Sequence, residues 1–202
     1  MIQEIQECKY MSNLIQTTTD LAMYIIRGYI RPGDVLIDAT CGNGHDTLKL
    51  LASGPSKLYA FDIQQEAIDS TRRLLMEKGA DEALRDGTVT LICDSHENME
   101  DHVTGPVRAV MFNLGYLPGC DKSKTTTKDS TLNAAVSALG LLGKDGLLCI
   151  TMYSGHDEGA AEKTALLSWA ENLDPKRYHT AYISMTNQKN SPPEILLITR
   201  KK

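Results

Sequence analysis

Five short apolar runs alternate with longer amphipathic segments through most of the chain. The runs are Val35–Ala39, Lys57–Asp62, Thr88–Cys93, Val107–Asn113 and Leu147–Tyr153. Each is rich in aliphatic residues and too short for a typical helix, which predicts strands buried on both faces. Helix-like segments separate them at His45–Ala52, Gln64–Lys78, Ser95–Asp101, Ser130–Leu142 and Asp157–Asn172. Such alternation predicts an α/β protein with a mostly parallel sheet and helices on both faces. Upstream, Ser12–Ile30 sets Leu14, Leu21, Ile25 and Tyr29 near one helical face, and Arg31-Pro32-Gly33-Asp34 closes that helix as a turn.

The rhythm breaks near the C-terminus. Tyr178–Met185 and Glu194–Thr199 read as two strands joined by "TNQKNSPP", which holds no helix. A hairpin there puts one antiparallel strand into an otherwise parallel sheet. The 202 residues contain no repeat, low-complexity tract or linker, so residues 1–202 are expected to form a single domain.

Charge and cysteine usage narrow the partners. A net charge of −5 gives no broad basic face, so any RNA partner should be small or gripped locally. No apolar run is long enough to cross a bilayer, and the expected location is the cytoplasm. Cys8, Cys41, Cys93, Cys120 and Cys149 are dispersed without C-x-x-C spacing, so no metal site is expected and the thiols should be reduced. Both a monomer and a homodimer are compatible with this composition.

Candidate chemistry gathers at the carboxyl ends of the expected strands, where parallel sheets bind their ligands. "VLIDATCGNGHDT" carries an apolar strand into Asp38 and then into a turn built on Gly42 and Gly44. Glycine tolerates positive φ there and lets a ligand lie on the backbone. Asp62, 18 residues beyond Gly44, ends the second strand where a carboxylate can accept both hydroxyls of a ribose. A dinucleotide fingerprint would need a third glycine where Thr47 stands. The added carboxylate of Asp38 suits the ammonium group of S-adenosylmethionine. Thr40, Asn43, Asp46 and Thr47 in the loop, with Ile63 and Gln64 beyond Asp62, complete the candidate donor site.

At the third strand end, Asp94 is placed to accept from an adenine amine and Ser95 N–H to donate to a ring nitrogen. Either residue could instead cap the next helix; for Ser95 the cap is an equal reading, and the two roles are compatible. The neighbouring His96 is also a candidate, although a lone histidine is more often structural. The fourth strand runs into "NLGYLPG", an irregular loop suited to a second substrate, with Asn113 and Tyr116 as candidate catalytic residues and Asn113 also near the donor. Lys122, Lys124 and Lys128 follow as a basic segment able to meet phosphates. At the fifth strand end, Tyr153 is a base-stacking candidate and His156 a candidate proton acceptor. The neighbouring Asp157 equally suits a helix start.

The ordered set "DATCGNGHDT", "FDIQ", "DSH", "NLGYLPG" and "YSGH" resembles the bacterial rRNA methylase family, whose members include a tRNA 5-aminomethyl-2-thiouridine methyltransferase of Gram-positive bacteria. The resemblance runs from Asn13 to Thr199. It implies a Rossmann-like class I methyltransferase with seven strands and S-adenosylmethionine as donor. It also implies methylation of the 5-aminomethyl group at the tRNA wobble position, with the anticodon loop as partner. Thr40 replaces the first loop glycine of many class I enzymes, as the family does, whereas "CDKSKTTTKDS" follows the family only loosely.

Other readings use the same residues. An rRNA or small-molecule methyltransferase needs similar chemistry around Asn113. A dinucleotide-dependent oxidoreductase explains the loop and Asp62 but leaves Asp38 and "NLGYLPG" idle. A non-catalytic nucleotide-binding module leaves unexplained the polar groups converging from the fourth and fifth strands.

Overall fold

The computed structural model describes residues 16–115 and 128–201. In chain order the elements are α1 (Thr18–Tyr29), β1 (Val35–Asp38), α2 (His45–Leu51), β2 (Lys57–Asp62), α3 (Gln65–Glu77), α4 (Asp81–Arg85) and β3 (Val89–Cys93). A 3-10 turn (His96–Asn98), α5 (Met99–His102), β4 (Val107–Asn113), α6 (Lys128–Leu141), β5 (Leu142–Met152), α7 (Asp157–Glu171), β6 (Tyr178–Ile183) and β7 (Glu194–Arg200) follow.

Among the described residues, seven strands form one sheet in the order β3-β2-β1-β4-β5-β7-β6. β7 runs antiparallel to both neighbours, and the other recorded pairings are parallel, as the helix-free C-terminal hairpin predicts. The order reverses between β1 and β4. Crossovers leave these two strands in opposite directions along the sheet, which opens a crevice above their carboxyl ends.

Alternation along each strand divides the core into two layers. Ile37, Phe61, Phe112 and Ile150 share one cluster with Ala134, Ala135 and Ala138 of α6 and Leu166 of α7. Leu36, Leu58, Met111 and Cys149 share the other with Ala22, Met23 and Ile26 of α1, Leu50 of α2 and Leu75 of α3. Burying each large aliphatic or aromatic side chain favours folding by about 1.5–3 kcal/mol. The continuous apolar runs thus follow from helices covering both faces.

Three elements differ from the sequence pattern. β5 starts at Leu142 rather than Leu147, pairing Leu142 with Val107 ahead of an irregularity in register. Asp145 takes φ +58°, so the turn-like "GKDG" is accommodated within the strand. The expected helix at Ser95–Asp101 divides into the 3-10 turn and α5. α4 carries no long apolar periodicity, and its Asp81–Arg85 ion pair spans one turn at 2.7 Å. At the other end of the chain, Glu194 takes Lys163, Tyr182 and Ser184 as partners, which ties β7 to α7 and the β6 side of the hairpin.

Candidate active site

The loop after β1 is held by Asp38 and Thr47 at its two ends and by side chains of α3 and β2 along its length. Asp38 is 1% exposed and accepts from Thr47 Oγ1 at 2.6 Å and from Thr40 N at 3.2 Å. Burial pushes its carboxyl up to about 7, against the lowering effect of the Thr47 and Thr40 bonds. Gly42 and Gly44 adopt φ +50° and +83°. A Cβ on Gly44 would lie 2.9 Å from Thr71 Cα, so the loop packs directly on α3. Thr71 Oγ1 donates to Gly42 O at 3.0 Å, and Ser70 Oγ donates to Asn43 Oδ1 at 3.1 Å. The tight spacing of Gly44 therefore meets a packing demand from within the protein, in addition to any approach by a ligand.

Asp62 closes the loop from the neighbouring strand. Its Oδ2 accepts from Gly42 N at 3.1 Å and its Oδ1 from Gln64 N at 3.0 Å. Burial raises its pKa, although these backbone bonds oppose the shift. An ionised carboxylate offers about four acceptor positions, so Asp62 keeps capacity beyond its backbone bonds. Ile63, 44% exposed, presents an apolar side chain immediately beyond it. A paired carboxylate with spare acceptor capacity beside an exposed aliphatic side chain fits a ribose and the face of an adenine.

Other candidates are engaged in building the site. Asp94 accepts from Ser95 N at 2.7 Å, Asn98 Nδ2 at 3.0 Å and His102 Nε2 at 2.8 Å. Its pKa lies below the usual range, chiefly through the bond to His102. Ser95 Oγ caps the following turn by accepting from Glu97 N. The cap reading therefore describes the arrangement in the structure, and the Ser95 N–H expected at adenine is directed to Asp94. His96 is buried between the strand ends, with Nδ1 3.2 Å from Ala39 O and its ring 5.4 Å from that of Phe112. A carbonyl only accepts, so Nδ1 carries the proton; burial lowers the His96 pKa and keeps the ring neutral. The buried side chains of Asp38, Thr47 and His96 brace the site instead of facing open space.

Asn113 is the junction of the two halves. Its backbone N donates to Thr40 Oγ1 at 2.7 Å, joining the ends of β4 and β1. Its Nδ2 donates to Asp46 Oδ2 at 3.1 Å, while Asp46 Oδ1 meets Lys49 Nζ at 3.0 Å. Tyr153 Oη donates to Asn113 Oδ1 at 2.8 Å. The Tyr153 hydroxyl thus has a polar task that the sequence did not reveal, since 40 residues separate the pair. His156 occupies the N-cap position of α7 without a side-chain capping bond, and a Cβ on Gly159 would come within 2.7 Å of its Cε1, so the ring lies close to the first turn. Tyr116, Lys122 and Lys124 lie outside the described residues, as does the side chain of Lys128. Among the described residues, no group of three or more His, Cys, Asp or Glu side chains is gathered as a metal site. Nor is any helix there long and apolar enough to cross a membrane.

A doubly wound sheet with strand order 3-2-1-4-5-7-6, a glycine turn after β1 and a carboxylate ending β2 define a class I methyltransferase. Comparison with known proteins gives the family. The family described as "Putative rRNA methylase" matches residues 58–199, and the chain belongs to it. It is 33% identical over 192 residues to the chloroplastic tRNA (mnm5s2U34)-methyltransferase of Arabidopsis thaliana, covering 91% of this chain and 69% of that protein. A solved protein of Clostridium thermocellum, described as a "putative rRNA-methylase", shares 35% identity at a TM-score of 0.85, covering 92% of this chain and 98% of that one. A methyltransferase of Streptococcus mutans, SMU.1697c, solved with S-adenosylhomocysteine, shares 36% identity at a TM-score of 0.79, covering 90% and 97%. The chain is an S-adenosylmethionine-dependent methyltransferase.

Proposed function

We propose that the enzyme acts on RNA and methylates the nitrogen of the 5-aminomethyl group of 5-aminomethyl-2-thiouridine at the tRNA wobble position. The carrying observation is the amide of Asn113, fixed from both sides at the crevice between β1 and β4. The choice of acceptor rests on similarity to the plant enzyme whose name carries the methylated nucleoside, mnm5s2U34. The net charge of −5 favours a short RNA loop over a long duplex surface.

S-adenosylmethionine supplies an electrophilic methyl group on a positively charged sulfur. Asp62 would accept the ribose hydroxyls and Ile63 would cover the adenine, with the glycine turn beneath the remainder of the donor. Asn113 Oδ1 would accept an N–H from the uncharged acceptor amine and turn its lone pair toward the methyl group. Bringing the two reactants into line can supply much of the acceleration. Methyl transfer leaves a protonated secondary amine, and His156 or water would take its extra proton.

The direct test incubates the protein with S-adenosylmethionine and separate pools of tRNA bearing 5-aminomethyl-2-thiouridine, rRNA and small primary amines. Nucleoside mass spectrometry should find a 5-methylaminomethyl product in the tRNA. Methylated rRNA or small amine without that product would overturn the assignment of acceptor.

A further inference from the structure

We infer that Tyr153 is a positioning residue for methyl transfer, acting through Asn113 rather than by stacking on a base. This rests on the reading that Asn113 orients the acceptor. The direction of the hydrogen bonds follows from one group. A carboxylate only accepts, so Asp46 Oδ2, 3.1 Å away, requires the NH2 side of the Asn113 amide. That orientation turns Oδ1 toward Tyr153, 2.8 Å away, and an amide oxygen only accepts, so the phenol must donate. Asn113 then retains one N–H and the second acceptor position of Oδ1. The latter is what an incoming amine N–H requires.

The ring has its own support. A Cβ on Gly115 would lie 3.0 Å from Tyr153 Cζ and 3.2 Å from Cε2, so the ring packs against the backbone just beyond Asn113. Thr19 Oγ1, from α1, stands 3.5 Å from the phenol oxygen, at the outer limit of a hydrogen bond. The hydroxyl is consequently set between Asn113 Oδ1 and Thr19 Oγ1. Without it, Asp46 still anchors Nδ2, but Oδ1 gains freedom to swing about that single bond. The proposed donor pocket at Asp62 ends β2, separated from β4 by β1, and the Asp62 carboxylate bonds to Gly42 N and Gln64 N.

The test uses Tyr153→Phe, which removes the hydroxyl and preserves the packed ring, together with Asn113→Ala and the double variant. We expect Tyr153→Phe to lower kcat by about tenfold, the order expected for losing one hydrogen bond. The Kd for S-adenosylhomocysteine should remain within about twofold, and the same change should have no further effect in the Asn113→Ala background. Unchanged kcat in Tyr153→Phe, or an equal loss in both backgrounds, would overturn the inference. If Asn113→Ala alone leaves kcat intact, the orienting role of Asn113 fails first, and the inference fails with it.

A second measurement does not require the acceptor to be known. In 15N-labelled protein, the Asn113 side-chain NH2 resonances should shift and exchange faster with water in Tyr153→Phe than in wild type. Resonances that stay in place would overturn the positioning role even if the acceptor is reassigned.

Discussion

Thr47 Oγ1 donates to Asp38 Oδ2 at 2.6 Å inside the protein, tying the first turn of α2 to the end of β1. The bond favours the ionised carboxylate, yet burial outweighs it and raises the Asp38 pKa from 3.8 to about 7. The folded state therefore holds the Asp38 proton more tightly than the unfolded chain. The resulting stabilisation is fully present below the unfolded pKa and is lost as pH rises toward about 7. Thermal unfolding of wild type and Asp38→Asn from pH 4 to 8 should show the wild-type curve losing stability relative to the variant over that window. A constant difference between the curves would contradict a raised pKa.

Asp62→Ala should weaken S-adenosylhomocysteine binding by about ten- to a hundredfold, the effect of removing a charged acceptor worth roughly 1.5–3 kcal/mol. The same carboxylate also receives Gly42 N and Gln64 N, so Asp62→Asn is the necessary companion. Isothermal titration calorimetry should rank wild type above Asp62→Asn and Asp62→Ala. Equal affinity in all three proteins would place the ribose elsewhere.

Gly44→Ala should cost stability even without a donor. The residue sits at φ +83°, and the new Cβ would meet Thr71 Cα at 2.9 Å. Backbone strain and overpacking together amount to roughly 2–5 kcal/mol. Gly54→Ala is the comparison: its φ is +69°, but its nearest Cβ neighbour is Pro32 Cβ at 3.8 Å. That change should cost only about 1–2 kcal/mol, the conformational part. Urea unfolding of the two variants separates packing from backbone preference, and equal losses would remove Thr71 from the account.

Asn113→Ala should retain S-adenosylhomocysteine affinity while kcat falls by roughly a hundredfold, because its side chain is assigned to the acceptor. Equal losses in affinity and turnover would move Asn113 to the donor pocket. The wild-type rate should rise with pH as the acceptor amine loses its proton, since an ammonium has no lone pair. His156→Ala should lower the rate and shift that profile; an unaltered profile would leave the proton to water.

The alternation of apolar runs with helical segments was enough to predict the five central strands, because strands covered on both faces have few polar positions to spare. The two-strand ending likewise followed from a connection that holds no helix. The glycine turn after β1 was legible because Asp38, Gly42 and Gly44 are close in sequence and Asp62 lies at the next strand end. What the tertiary structure decided was the partner of each polar atom. Asp46 and Tyr153 meet Asn113 across 67 and 40 residues, and Thr71 receives Gly44 across a helix boundary. Hydropathy specifies which face of an element is buried, but hydrogen-bond partners depend on strand order and register. Those long-range relations divide the polar residues near the strand ends between buried groups that brace the loop, such as Asp38 and Thr47, and partly exposed groups with unused hydrogen-bonding capacity, such as Asp62 and Asn113.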